Sequence, residues 1–146
     1  MLKKAHITTH LVTTTENGED IIRTESDGAC LIEETAVMLR YAEADNDGTA
    51  HLLLSNDLAD LKRHGSTRSR MTFIEGRLLP CPYETQHGPL DLSLFTHSHS
   101  FSLDAQGGTF TARYTLLAAG KQVADNVLTV EWVLSLIHIS EPTRPY

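Results

Sequence analysis

Residues 58–76, LADLKRHGSTRSRMTFIEG, contain two alternating runs separated by Gly65 and Ser66. Successive side chains of a β-strand point to opposite faces, so residues two apart share a face. In this stretch one face carries Leu61, Arg63, Gly65, Ser69, Met71 and Phe73. The pattern predicts a β-hairpin with one apolar face, and it places the arginine with the apolar side chains.

The same organisation extends in both directions along the chain. Turn signals such as Asn17-Gly18, which favours a tight hairpin turn, separate short β-rich segments. The segments lie at 5–15, 21–25, 29–33, 36–43, 49–55, 58–64, 67–75, 77–85, 90–103, 109–118 and 122–133. We read Asp27-Gly28 as another of these turns. Regular short strands with short connections predict an all-β, antiparallel, up-and-down barrel of about ten strands.

Length and charge limit the class of protein. A chain of 146 residues is the size of one domain, and 40% hydrophobic residues is ordinary for a globular protein. The formal net charge of −7 argues against a nucleic-acid surface, which needs clustered Lys and Arg. A neutral or cationic small ligand, a basic partner or simple solubility remains open.

Cysteine usage and targeting signals favour the cytoplasm. Cys30 and Cys81 belong to no Cys-x-x-Cys pair, so we expect reduced packing residues, although a disulfide stays open. Residues 1–6 are charged without an apolar signal region, and no apolar run reaches 18 residues. We expect no membrane contact, no nucleic-acid partner and no cofactor, and the sequence does not give the oligomeric state.

Several motifs carry a family resemblance over residues 1–133. The most specific is Leu58-x-x-Leu61-x-Arg63-x-Gly65-x-x-x-Ser69-x-Met71-x-Phe73-x-x-Gly76, followed by Tyr83-x-Thr85-Gln86-His87-Gly88. Together with Tyr41-x-Glu43, Tyr114 and Asn126, they resemble the YwiB-like family of small bacterial calycin-like barrels, a domain of unknown function. Gln86 and His87 replace the family's Pro-Tyr, and Ala42 replaces a carboxylate. The resemblance implies a lipocalin-like barrel and no established enzyme, cofactor or ligand.

The end of the sequence has a different character. Residues 134–146, LSLIHISEPTRPY, resemble the translation of a sequencing adapter. The alternative is a natural terminus with two prolines. We therefore predict one domain over 1–133 and a non-native tail over 134–146.

Strand phase places a polar set inside the barrel or at its mouth. Its members are Tyr41, Glu43, Arg63, Thr96, Tyr114 and Asn126. A buried guanidinium needs a counter-charge, and Glu43 is the best candidate partner for Arg63. In one interpretation Arg63 packs on Trp132 and plugs the barrel. In the other, the polar set belongs to a ligand pocket.

One histidine motif has a spacing that would suit a metal site, but its strand phase argues against one. His97-Ser98-His99 would put two imidazoles on one strand face, and zinc would need a third ligand. Both histidines are out of phase with Leu94, which places them outside the barrel unless a bulge intervenes, as Phe101 hints. We therefore predict no metal site.

Three functions follow from these observations, in order of preference. The first is non-enzymatic binding of a small apolar or amphipathic molecule, with Arg63 and Tyr41 near its polar end. The second is a structural or interaction module with a filled barrel. The third is an enzyme that uses Glu43 and Arg63, and it is the weakest because no nucleophile motif is present.

Overall fold

A computed structural model of the chain describes residues 2–43 and 46–135. Its ten strands are β1 (Leu2–Thr15), β2 (Gly18–Ile32), β3 (Val37–Glu43), β4 (Gly48–Leu54), β5 (Ala59–His64), β6 (Arg68–Phe73), β7 (Leu78–Thr85), β8 (Gly88–Asp104), β9 (Gly107–Ala118) and β10 (Lys121–Leu134). All neighbouring strands are antiparallel, and β1 pairs with β10 to close the barrel. The predicted all-β up-and-down barrel is confirmed.

The alternation of residues in each strand determines which side chains enter the barrel. In the quoted hairpin, Leu61 stands opposite Met71 and Arg63 stands opposite Ser69. In β3, buried and exposed residues alternate, with Leu39 and Tyr41 buried. Closing the sheet buries one face of every strand, and that burial fixes the register.

Aromatic side chains fill the centre of the barrel. Trp132, Phe73 and Phe110 are the largest fully buried side chains. The ring of Phe73 lies 6.1 Å from that of Phe110 and 5.1 Å from that of Tyr114, centroid to centroid. These separations fall in the range of favourable tilted and edge-to-face ring contacts.

Asp27-Gly28 does not form the predicted turn. Both residues lie inside β2, which runs unbroken through the segments predicted as two strands. A Cβ on Gly28 would come within 2.1 Å of the Arg40 carbonyl oxygen. The glycine therefore allows a close backbone approach to β3, a role that the local sequence does not distinguish from a turn.

A β-bulge interrupts β8. Thr96 pairs with Tyr114 and Ser98 pairs with Arg113, so His97 is the extra residue. After the bulge, His99 stands opposite the buried Ala112 and shares its face, whereas His97 is exposed. The prediction that both histidines share the outer face is therefore wrong, and the hint of a bulge from Phe101 is correct.

The seam between β6 and β7 is short. Only Arg68 with Glu84 and Ser69 with Tyr83 are paired across it. Pro80 and Pro82 in β7 carry no backbone N–H, as expected for a strand with a weakly paired side.

The last described residues continue β10. Leu134 is buried and stands opposite Ala5, and the Ser135 amide donates to the Lys4 carbonyl at 3.0 Å. The rest of the adapter-like stretch, residues 136–146, lies outside the described residues, and the predicted boundary of the domain stays a prediction.

Candidate functional site

Arg63 and Glu43 form an ion pair in the wall of the barrel. Arg63 Nε donates to both carboxylate oxygens of Glu43, at 3.0 and 3.1 Å. The side chains are 27% and 12% exposed, so the pair is largely removed from water. β5 supplies the arginine and β3 the glutamate, and β4 separates the two strands. The partner predicted for Arg63 is confirmed.

Asn46 supports this pair, although no sequence motif singles it out. Its Nδ2 donates to Glu43 at 3.4 Å and to the Thr67 carbonyl at 3.1 Å. Its Oδ1 accepts from the amide and the hydroxyl of Thr67, both at 2.9 Å. The buried asparagine thus ties the β3–β4 connection to the β5–β6 turn, where Gly65 leaves room for the Asn46 carbonyl.

Arg63 remains positively charged although it is largely buried. Burial disfavours the charged form, but the hydrogen bonds and charge of Glu43 outweigh it. Tyr83 and Tyr41 add smaller contributions, and the pKa of the guanidinium ends above its ordinary value. Arg63 is therefore a permanent cation among phenol rings.

Most of the donor capacity of Arg63 is unused within the described part of the chain. A guanidinium has five N–H groups, and only the one on Nε donates a hydrogen bond to the described residues. The Oγ of Ser69, directly across the strand pair, is buried and has no partner there either. Both residues line a recess of about 350 Å³ beside the short β6–β7 seam, and its lining also includes outward-facing residues such as Lys62 and Arg70.

The other predicted residues form a row across β8, β9 and β10. Tyr114 stands opposite Thr96 on one side and Asn126 on the other, and all three are buried. Thr96 Oγ1 and Asn126 Oδ1 have no hydrogen-bond partner among the described residues. Burial, with a small contribution from Cys81, raises the pKa of Tyr114 far above its ordinary value, while Arg63 opposes the shift. Tyr114 is therefore a neutral phenol.

Trp132 does not pack on Arg63 as the plug interpretation expected. Its ring covers Gly108, where a Cβ would come within 2.4 Å of the indole. Among the described residues Trp132 Nε1 has no hydrogen-bond partner and no ring contact joins it to Arg63. The counter-charge of Arg63 is the carboxylate of Glu43 instead, through a charge-assisted hydrogen bond.

A second polar network lies on the outer face. His97 Nε2 is 2.8 Å from Thr115 Oγ1, and this hydroxyl donates to Asp125 at 2.6 Å. A recess of about 550 Å³ adjoins His97, Arg113 and Asp125. The threonine donates to the carboxylate and therefore lacks the histidine-activated geometry of a nucleophile. Within residues 2–43 and 46–135 no group of three or more His, Cys, Asp or Glu side chains is placed to hold a metal ion.

Both cysteines are free and buried. Burial raises the pKa of each thiol, with Lys3 and the N-terminus opposing the shift at Cys30. Neither thiol is activated, because a reactive cysteine needs a lowered pKa. Separately, the described residues include no helix with the length and apolar character needed to cross a membrane.

Comparison with known proteins supports the same architecture. The crystal structure of the ywiB protein from Bacillus subtilis superposes with a TM-score of 0.82 and 17% sequence identity, over 92% of this chain and 93% of that one. At this identity the likeness shows the fold alone. A comparison with curated proteins gives no match. The family described as "Domain of unknown function (DUF1934)" matches residues 6–130, and this chain therefore belongs to that family of β-barrel proteins.

Proposed function

We propose that the protein is a non-enzymatic barrel that binds a small amphipathic molecule, with the molecule's anionic or hydrogen-bond-accepting end at Arg63 and Ser69. One observation carries this proposal. The terminal amino groups of Arg63 and the hydroxyl of Ser69 are donors without acceptors among the described residues, and both line one recess. The Ser69 hydroxyl is buried, and buried donors are normally satisfied, so a ligand acceptor is a natural partner for Ser69 and for Arg63, which stands opposite it.

The recess has the size of a ligand site. Its volume of about 350 Å³ lies within the range of roughly 300 to 1,000 Å³ typical of small-molecule pockets. Phe73, Phe110 and Trp132 occupy the centre of the barrel, which favours a ligand at the Arg63 end. Thr96, Tyr114 and Asn126, elsewhere in the barrel, are further buried polar residues that do not line this recess.

Binding without catalysis is favoured by the state of Glu43. Both of its carboxylate oxygens accept from Arg63, and one also accepts from Asn46. A general base needs a lone pair within reach of the proton that it removes. A carboxylate committed to a guanidinium and an amide is better suited to holding Arg63 in position.

A fluorescence titration with the anionic dye anilinonaphthalene sulfonate tests the proposal. We expect Arg63→Ala to weaken dye binding at least about tenfold, because a charge-assisted hydrogen bond is lost. Glu43→Gln should strengthen binding, because the competing carboxylate is removed while its shape is kept. Arg77→Ala changes an exposed arginine outside the recess and should bind the dye as wild type does.

The contrary result is equally well defined. If Arg63→Ala and Glu43→Gln bind the dye with wild-type affinity while remaining folded, the recess is not a ligand site. The remaining candidate would then be a structural module with a filled barrel, which the aromatic centre of the molecule favours.

A further inference from the structure

A row of basic side chains crosses the outer face of four strands. Arg40, His51, Lys62 and Arg70 occupy directly paired positions of β3, β4, β5 and β6. Like charges directly opposite one another destabilise a sheet. The row spans about 14 Å, since adjacent strands lie about 4.8 Å apart. Apart from the ion pair of Arg70 with Asp60, this arrangement offers the fold little stabilisation.

Little negative charge compensates the row. Asp60 accepts from Arg70 Nε at 3.2 Å and from Thr72 Oγ1 at 3.0 Å. Burial lowers the pKa of His51, and the charges of Arg40, His64 and Lys62 lower it further. This face therefore carries a positive field on a chain whose formal net charge is −7.

Apolar side chains adjoin the basic row. A recess of about 310 Å³ is lined by Met38, His51, Leu53, Asp60, Lys62 and His64. Met38 is 39% exposed. A partner suited to this face, the basic face, would combine negative charge with exposed apolar side chains.

The same chain carries such a surface at the β1–β2 hairpin. Residues 16–27 include the acids Glu16, Glu19, Asp20, Glu25 and Asp27 and one base, Arg23. Ile21 and Ile22 are 60% and 51% exposed in the same segment. Among the described residues, Gly18–Asp27 pairs with β1 only, so one edge of this acidic hairpin is unpaired.

We propose that a second copy of this chain is the partner, with the acidic hairpin of each protomer seated on the basic face of the other. A two-fold arrangement makes both contacts at once. Ile21, which lies on the same face of β2 as Glu19, meets the apolar recess, and Glu19 meets the basic row. Each contact therefore offsets a feature that is unfavourable in the isolated barrel.

Two considerations favour this partner. The protomers repel through their net charge, but at physiological salt the Debye length of about 8 Å leaves local complementarity dominant. A single-stranded nucleic acid would be held by base stacking on aromatic rings. The outward positions of β3–β6 provide no Phe, Tyr or Trp.

Sedimentation equilibrium of the full chain and its charge-reversed variants tests the proposal. We expect a wild-type dimer that weakens as salt rises from about 0.05 to 0.5 M. The face variant Arg40→Glu with Lys62→Glu and the hairpin variant Glu19→Lys with Asp20→Lys should each dimerise at least about tenfold more weakly. An equimolar mixture of the two variants should restore dimers, since the mixture re-forms complementary charges at both contacts.

Lys4→Glu with Lys121→Glu is the matched control, because it changes the net charge as much as the face variant does, at exposed positions elsewhere. It should dimerise as wild type does. A monomeric wild type at high micromolar concentration, or a mixture that stays monomeric, would overturn the proposal. Binding of single-stranded RNA to the basic face of a monomeric protein would overturn it as well.

Discussion

Arg63 is the residue on which both the predicted stability of the barrel and the proposed function depend. Its guanidinium is held by Glu43 in a largely buried ion pair and still has donors that no described residue accepts. Removing one partner of a buried pair leaves an uncompensated charge, which costs more than the pair itself contributes. Arg63 thus places a cation in the barrel wall, and some of its N–H donors have no acceptor among the described residues.

Replacing Arg63 by alanine should destabilise the protein. We expect Arg63→Ala to lower the free energy of unfolding by about 2 kcal/mol, since Glu43 is only 12% exposed and loses its counter-charge. Urea unfolding followed by circular dichroism measures this. The exposed Arg77→Ala should stay within about 0.5 kcal/mol of wild type. Equal stability of both variants would refute the buried ion pair.

Thr96 should show the opposite behaviour. Its buried hydroxyl has no described partner, so Thr96→Val should raise the free energy of unfolding by about 1 kcal/mol. Thr72→Val is the control, because Thr72 Oγ1 donates to Asp60 and its loss should lower stability. Thermal unfolding of both variants decides the matter. A destabilised Thr96→Val would mean that the hydroxyl is already satisfied in the folded protein.

At the scale of the strands, Gly28 lies at a close approach between β2 and β3. We expect Gly28→Val to cost about 2 kcal/mol or more, because the new Cβ would overlap the Arg40 carbonyl oxygen. Ala29→Val, at the next position and partly exposed, should have little effect. Chemical denaturation measures both. Similar free energies of unfolding for the two variants would show that β3 can shift to accommodate the new side chain without loss of stability.

The β1–β2 hairpin also carries a titrating pair. His6 contacts Glu25 at 3.0 Å and Asp27 at 3.1 Å, and hydrogen bonds to these two carboxylates raise the pKa of His6. The contact with His6 lowers the pKa of Glu25. The raised His6 pKa stabilises the fold below the unfolded value and ceases to do so as pH rises through the folded value. The lowered Glu25 pKa stabilises it above the unfolded value and ceases to do so as pH falls through the folded one.

An NMR titration of the His6 ring checks this. We expect the midpoint to lie above 6.5 in the wild-type protein and to fall in Glu25→Gln, which removes the largest cause of the shift. An unchanged His6 midpoint in the variant would contradict the contact.

The sequence predicted the strands well wherever one face of a strand packs against the core. The phase of Leu61, Arg63 and Met71 follows from a two-residue period that burial enforces. The role of Gly28 and the network of Asn46 depend on chain segments far away in sequence, and a local pattern cannot reveal them. The bulge at His97 has one sign in the sequence, which is that the alternation of apolar residues changes phase before Phe101.

For the whole molecule, closure of β1 on β10 joins the ends of the described chain and places the polar row and the ion pair in one barrel. The resemblance of the sequence motifs to a known family predicted the barrel fold. The family match and the superposition on the ywiB structure confirm that prediction. Strand phase also predicted the Arg63–Glu43 pair. The unused donors of Arg63 and Ser69 emerged only from the three-dimensional arrangement, since they depend on what each group fails to contact among the described residues.

Native mass spectrometry of the protein isolated from cells tests the ligand proposal most directly. Wild-type protein and Arg63→Ala are purified in parallel under mild conditions, and released small molecules are identified by mass. We predict an anionic amphipathic molecule on the wild-type protein and its loss from Arg63→Ala. A wild-type protein that carries no small molecule, or a variant that carries the same molecule in the same proportion, would contradict the proposal.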